Sequence, residues 1–324
     1  MLAIDRIRQP IASELAEFDS YLRKVMKTSV PLLNIIMNYL LKRKGKQMRP
    51  ILVFLSAKLL GKPNASTFTA AALIEILHTA TLIHDDVVDD SNERRGFFSI
   101  NALWKSKVSV LLGDYLLATG LLLAVTNKEY EILNIVADAV KEMSEGELLQ
   151  IKNSRKPNIS KEEYYEIIRK KTATLISCCS SCGAKSVGMP DEVVKKMQRF
   201  GELLGIAFQI KDDLLDYQIN NKTGKPAGND IKEKKLTLPL IHALEMSTTP
   251  ERKRILRLLN HSGKSNHDFR EILDFVTRNN GLTFAEEKMN EYSSLALQEL
   301  GDFPNPEIQE SLHEFVSYTI LRNK

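Results

Sequence analysis

The chain has 324 residues, 43% of them hydrophobic and 27% charged, with a net charge of +4. Such values belong to a globular protein with a substantial core and exclude disordered and fibrous classes. A charge this small and this evenly spread also excludes nucleic-acid binding as the main task. The length permits one or two domains. No repeat, low-complexity segment or Pro- or Ser-rich linker marks a boundary, so one domain over residues 1–324 is expected.

The first 30 residues carry Asp5, Glu14, Glu17 and Asp19 among their apolar positions, a pattern foreign to a signal peptide. The longest apolar runs, such as Tyr115 to Val125, stop well short of the roughly 20 residues that cross a bilayer. No transmembrane helix is expected, and the cytoplasm is the expected location. In segment after segment apolar residues recur every three or four positions, while β-branched alternating runs are scarce, so the chain reads as nearly all helix. Breaks fall at 61–64, 91–98, 153–160, 186–190 and 220–229, and near Pro250, Gly263, Gly281 and Pro304. Ser160 with Glu163 fits a capping box, and Thr249 before Pro250 fits an N-cap with proline in the first helical position. Cys178, Cys179 and Cys182 are too few and too clustered for a disulfide framework. They read as small core residues, since a zinc or redox role for Cys179-x-x-Cys182 lacks partner ligands.

His84-Asp85-Asp86-Val87-Val88-Asp89-Asp90 closes an apolar run from Phe68 to Ile83 that reads as a long core helix. On a helix Asp85 and Asp89 share one face, about 6 Å apart, with Asp86 beside them. Like charges about 5 Å apart repel by roughly 3 kcal/mol at an effective dielectric of 20. A bound cation would relieve this. The same spacing returns at Asp212-Asp213-Leu214-Leu215-Asp216, after the apolar run from Leu203 to Ile210. One such motif alone reads equally well as a solvated helix face; two together do not. Oxygen-only ligands at helical spacing suit Mg²⁺, which shares its shell with water and substrate phosphates. An EF-hand is excluded, because a loop starting at Asp85 would place Asp90 where the turn requires glycine.

Basic residues supply phosphate partners: Lys46 and Arg49 in a turn before one helix, and Arg94 and Arg95 directly after the first acidic cluster. Arginine contacts phosphate bidentately and lysine acts as a point charge, so these four suit a second diphosphate held without metal. Either run alone reads as a solvated loop. Lys225, Lys232, Lys234 and Lys235 follow the second cluster and suit a basic lid.

The motifs, in order, are Gly45-Lys46 through Arg49-Pro50, Glu75-x-x-His78, Asp85-Asp86-x-x-Asp89 with Arg94-Arg95-Gly96, Lys171-Thr172-Ala173, Phe208-Gln209-x-x-Asp212-Asp213-x-x-Asp216, and Lys235-x-Thr237-Leu238-Pro239. Together they resemble the trans-isoprenyl diphosphate synthases of the polyprenyl synthetase family, over nearly the whole chain. The resemblance implies an all-α, antiparallel helical bundle around a deep central cavity, and a homodimer. It implies two to three Mg²⁺ ions on Asp85, Asp86, Asp89, Asp212, Asp213 and Asp216, bridging an allylic diphosphate also touched by Arg94, Lys171 and Lys235, with Lys225 in the substrate lid. Lys46, Arg49, His78 and Arg95 would hold isopentenyl diphosphate. Thr172 and Gln209 would place oxygen dipoles near the developing allylic cation. The implied reaction is metal-assisted loss of pyrophosphate, attack by the isopentenyl double bond, and proton loss. His78 taken alone reads as a core histidine.

Two departures stand out: Gln47 where many members have a basic residue, and Lys234 in place of a common glycine. A terpene cyclase would mix Asn, Ser or Thr and a late Glu into its second motif, and a silent partner subunit would lose one cluster; neither fits. Thr81 and Ala80, four and five residues before Asp85, are small where short-chain members commonly carry a large aromatic. The segment Glu145–Gln150 also resembles long-chain members that make quinone side chains. A product of about seven to nine isoprene units is expected, started from farnesyl or geranylgeranyl diphosphate and released with transient membrane contact.

Overall fold

The periodicity becomes helix after helix. The computed structural model describes residues 3–42, 45–91, 93–94, 97–153, 156, 159–218, 228, 231, 235–261, 266–301 and 303–321. In chain order the helices are α1 (Ala3–Arg8), α2 (Ala12–Val25), α3 (Pro31–Lys42), α4 (Met48–Leu60), α5 (Ala65–Val88), α6 (Ile100–Thr126), α7 (Tyr130–Asn153), α8 (Lys161–Ile168), α9 (Thr174–Ser186) and α10 (Asp191–Asp216). After them come α11 (Leu238–Met246), α12 (Thr249–Asn260), α13 (Asn266–Arg278), α14 (Gly281–Leu300) and α15 (Pro306–Leu321). A hairpin of two-residue strands, β1 (Glu93–Arg94) and β2 (Phe97–Phe98), joins α5 to α6. The all-α class is as expected, and the breaks expected at 61–64, 91–98 and 186–190 separate helices; those at 220–229 and Gly263 lie largely outside the described residues.

The chain forms two compact units. The first comprises Met1–Val140, Cys178–Met197 and Asp302–Leu312, and the second Lys141–Ser177, Gln198–Gly301 and His313–Lys324. In the first, α4 is almost wholly enclosed, with Pro50 through Ala57 all buried. Helix α5 starts at a capping box in which the Asn64 side chain accepts from the Ser66 and Thr67 amides and the Thr67 hydroxyl accepts from Asn64 N. It packs antiparallel to α6. A Cβ on Gly120 would lie 3.1 Å from Leu77, and one on Gly113 would fall 2.0 Å from the His84 imidazole. Glycine at these positions lets the two backbones close on each other where the first acidic cluster begins. Helix α6 is interrupted near its start by Lys105, at φ 69° and ψ 161°.

Both α5 and α6 are long and apolar enough to cross a membrane, which differs from the expectation drawn from uninterrupted apolar runs. The most apolar stretch of α5 is 61% buried, as in a core helix, whereas that of α6 is only 33% buried. The three cysteines are buried core residues on α9, as expected, with Cys178 Sγ 3.8 Å from Cys182 Sγ.

In the second unit, Tyr164, Ile167 and Ile168 of α8 pack with Ile206 and Ile210 of α10, Leu238 and Ile241 of α11 and Ala285 of α14. The expected capping box opens α8: Glu163 N donates to Ser160 Oγ at 3.2 Å, and Ser160 N to Glu163 Oε2 at 3.0 Å. The cap of α12 lies one residue earlier than expected. Thr248 is the N-cap and Thr249 the first helical residue; the Thr248 hydroxyl donates to Glu251 rather than accepting from the backbone.

Candidate active site

The spacing of the first cluster places it at the C-terminal end of α5. Asp85 and Asp86 lie in the last turn, and Asp89 is the C-cap, its amide donating to Asp85 O at 2.8 Å. Asp86 is buried at 4% exposure, whereas Asp85 and Asp89 are exposed. The second cluster repeats the arrangement at the end of α10: Asp213 is 4% exposed, Asp212 is exposed and Asp216 half-buried. In each motif the middle carboxylate is drawn into the protein and the first is presented to solvent. Ala80 is fully buried and Thr81 half-buried. By helical periodicity both fall on the stripe of α5 that carries Leu77 and His84 toward α6.

The basic turn before α4 is held by its neighbours. Lys46 is exposed, and its carbonyl accepts from Arg8 Nη2 at 2.6 Å. Gln47, the departure noted in sequence, caps α4 in a left-handed conformation (φ 52°) and donates Nε2 to Asp19 Oδ1 at 2.9 Å. Arg49 meets Glu75 of α5 through two hydrogen bonds, Nε to Oε1 at 2.7 Å and Nη2 to Oε2 at 3.3 Å. The fork is thereby oriented before any anion arrives. His78 lies one turn further along α5, half-buried. Arg94 lies on β1, while Arg95 and Lys225 lie outside the described residues.

Lys171-Thr172-Ala173 occupies a π-helical turn, Arg169–Ala173, between α8 and α9. Such turns are rare and gather at functional sites. Two glycines hold it at close range: a Cβ on Gly146 of α7 would lie 2.7 Å from Lys171 N, and one on Gly205 of α10 would lie 2.4 Å from Ala173 Cα. An acidic face of α7 receives the basic side chains of the turn. Lys171 pairs with Glu147 and donates to Gln150 Oε1 at 3.2 Å, Lys170 reaches Glu142 at 3.0 Å and Glu145 at 2.6 Å, and Arg169 reaches Glu142 at 3.1 Å. Burial alone would raise the Glu142 carboxyl, but Lys170 and Arg169 outweigh it and hold the group below its ordinary value. The hydrogen bond from Lys170 to Glu145, then that to Glu142, raises the Lys170 ammonium.

The Thr172 hydroxyl donates to Gln209 Oε1 at 2.7 Å, and Gln209 Nε2 donates to Asp213 Oδ1 at 2.9 Å. The second oxygen of Asp213 accepts from the Tyr164 hydroxyl at 2.7 Å. Lys235 is half-buried just before α11, and the buried Thr237 shares a 2.6 Å hydrogen bond with Tyr217. The structure thus brings Thr172, Gln209 and Asp213 together, as their motifs suggest, and adds Tyr164, Glu147 and Gln150. Tyr164 carried no sequence signal beyond its place on the apolar face of α8.

Among the described residues no three His, Cys, Asp or Glu side chains converge closely enough to cage an ion alone. Mg²⁺ seldom relies on an all-protein cage and fills its shell with water and phosphate oxygens. Carboxylate oxygens at helix ends, with Asp85, Asp89 and Asp212 turned to solvent, fit that ion.

An all-helical fold carrying two aspartate-rich helix ends defines a class of proteins that handle diphosphates through divalent metal. Residues 30–276 match the family described as Polyprenyl synthetase, and the chain belongs to it. It is 32% identical over 322 residues to the octaprenyl diphosphate synthase of Escherichia coli, covering 99% of each chain. The crystal structure of a polyprenyl synthase from Caulobacter crescentus, complexed with calcium and isoprenyl diphosphate, superposes with a TM-score of 0.89 at 33% identity, over 99% of this chain and 98% of that one. A geranylgeranyl pyrophosphate synthase from Bacteroides thetaiotaomicron gives 0.84 at 36% identity, over 99% and 100%.

Proposed function

We propose that this protein is a prenyltransferase that condenses isopentenyl diphosphate repeatedly, head to tail, onto an allylic diphosphate. The observation that carries the proposal is the pair of DDxxD helix ends, each with its first aspartate turned outward, on a chain whose full-length relative makes octaprenyl diphosphate. Asp85, Asp86, Asp89, Asp212, Asp213 and Asp216 hold two to three Mg²⁺ ions, as the calcium and isoprenyl diphosphate of the Caulobacter structure support. The metal supplies Lewis-acid stabilisation of the departing diphosphate and a template for it.

The chain's own residues do the rest. Arg94, Lys171, Lys225 and Lys235 bind the allylic diphosphate; for Lys171 this means exchanging Glu147 for a phosphate oxygen. Lys46, Arg49, His78 and Arg95 bind isopentenyl diphosphate, with Arg49 oriented by Glu75. The Thr172 and Gln209 oxygens stabilise positive charge as it develops on the allylic carbon. Ala80 and Thr81 put no bulky side chain on the stripe of α5 that faces α6, and with the octaprenyl diphosphate synthase relative this supports a product of about seven to nine units from a farnesyl or geranylgeranyl primer. The geranylgeranyl synthase relative favours a second reading, in which growth stops at four units. The chain works as one domain, since the matched segment spans both units. It works as a cytoplasmic homodimer, with transient membrane contact for product release. The exposed apolar side chains of α6, among them Leu111 and Leu122 at 60% and 66% exposure, support a second copy as the partner of that helix.

Incubation with Mg²⁺, farnesyl diphosphate and isopentenyl diphosphate, followed by chromatography, should give polyprenyl products of seven to nine units. Products ending at four units select the second reading. A cyclic hydrocarbon, or no turnover with farnesyl diphosphate and none when geranylgeranyl diphosphate replaces it, overturns the proposal.

A further inference from the structure

We infer that Tyr164 is a positioning residue for the second acidic cluster: its hydroxyl and the Gln209 amide clamp the two oxygens of Asp213 and fix the end of α10 that presents Asp212 and Asp216. The inference rests on the reading that this cluster binds the metal-bridged allylic diphosphate.

Asp213 is 4% exposed, and so is Tyr164. A buried carboxylate keeps its charge only where donors replace water. Here Tyr164 Oη reaches one oxygen at 2.7 Å and Gln209 Nε2 the other at 2.9 Å. Gln209 cannot swap roles, because a flipped amide would turn Oε1 toward a carboxylate oxygen that only accepts; Oε1 instead takes the Thr172 hydroxyl at 2.7 Å. The amide is therefore oriented with its nitrogen toward Asp213. Tyr164 likewise acts as donor, since an ionised carboxylate oxygen only accepts and the phenol carries the proton of the 2.7 Å contact.

The clamp is anchored at both ends. On one side, the Ser160–Glu163 capping box sets the start of α8 and places Tyr164 in its first turns. On the other, Thr172 belongs to the π-helical turn that also carries Lys171. Three elements, α8, the turn and α10, thus fix one carboxylate. Each bond of the clamp uses one lone pair of its carboxylate oxygen, so these two bonds do not by themselves exclude the group from a metal shell. Groups of this kind, one step removed from a metal, typically change metal affinity or activity 10–100-fold when removed.

Tyr165 distinguishes positioning from packing. It stands beside Tyr164 with ring centres 5.5 Å apart, and its hydroxyl is buried without a hydrogen-bond partner among the described residues. Loss of that hydroxyl removes a comparable polar atom from the same aromatic cluster and no contact to Asp213.

The test is calorimetric titration of the protein with farnesyl thiolodiphosphate, an unreactive allylic analogue, across a Mg²⁺ series. Tyr164→Phe should weaken Mg²⁺-supported binding of the analogue about 10–100-fold, with the KM for isopentenyl diphosphate within about twofold of wild type. Tyr165→Phe should bind as wild type does. In an Asp213→Asn background, Tyr164→Phe should cost less than about twofold further, because the clamped charge is already gone. Equal losses from Tyr164→Phe in both backgrounds, or equal losses in the Tyr164 and Tyr165 variants, would make the role packing and overturn the inference. So would a Tyr164→Phe protein that binds the analogue normally while wild type shows Mg²⁺-dependent binding. A wild-type protein with no Mg²⁺-dependent binding at all would overturn the proposed function, and this inference with it.

Discussion

Gly205→Ala tests how tightly the π-helical turn is held. The added methyl would sit 2.4 Å from Ala173 Cα, 2.8 Å from its Cβ and 3.2 Å from its carbonyl oxygen. Two of these three atoms are backbone, so no side chain can swing aside. Ordinary contact begins at 3.4 Å, and α10 and the π-helical turn must therefore part by about 1 Å. Gln209 lies one helical turn beyond Gly205 and moves with it, whereas Thr172 stays with Ala173. Their 2.7 Å hydrogen bond then stretches to about 3.7 Å, beyond bonding range. Overpacking of this kind costs about 1–3 kcal/mol, and alanine returns about 1 kcal/mol of helix propensity over glycine. The net loss of stability is then only about 0–2 kcal/mol. Turnover should fall far more, about 100-fold, the usual consequence of misplacing a reacting group by 1 Å. Steady-state rates beside thermal unfolding followed by circular dichroism separate the two effects. A Gly205→Ala enzyme with wild-type turnover and an unshifted melting temperature would refute the claim of backbone contact at the turn.

Four further outcomes are expected. Asp85→Ala and Asp212→Ala should each lower turnover by several orders of magnitude with circular dichroism unchanged, and near-normal rates at saturating Mg²⁺ would remove that cluster from the metal site. Arg49→Ala should raise the KM for isopentenyl diphosphate selectively, and Glu75→Gln should do so more weakly by loosening the fork; a rise confined to the allylic substrate would reverse the assignment. Ala80→Tyr should shift products to three or four units while sparing the first condensation, as read by chromatography beside wild type, at an overpacking cost of about 1–3 kcal/mol because Ala80 is fully buried. Glu142 is held below its ordinary 4.5 in the folded chain, so its stabilisation is present above that value and lost as pH falls through the lower, folded value. Glu142→Gln should therefore flatten the acid limb of a stability–pH curve from urea titrations, and an unchanged limb would show that the pairing with Lys170 and Arg169 contributes nothing.

What could be read from the sequence was local. Ser160 and Glu163 announce their capping box because both partners lie within one turn, and the same holds for the spacing of Asp85 with Asp89 and of Asp212 with Asp216. Helix or strand is likewise decided by periodicity over neighbouring residues, which is why the all-α class was legible. Even so, the cap of α12 shifted by one residue from Thr249 to Thr248, since both threonines present the same local chemistry.

Tertiary structure decided the pairings between distant residues. Nothing in the order of residues says that Arg49 forks onto Glu75, 26 positions on, or that Tyr164 reaches Asp213, 49 positions on. Nor does it say that Gln47 answers Asp19 instead of a phosphate. The two DDxxD motifs look identical in sequence, yet within each the packing of its helix buries the middle aspartate and turns the first outward. Lys171-Thr172-Ala173 could be matched as a motif, but its π-helical backbone depends on Gly146 and Gly205 closing from either side. The chain thus determined which residues carry charge and on which helix faces they fall. The register between those helices, and with it the partner of each charge, came only with the packed core, where close-packed apolar contacts fix how the helices sit on each other.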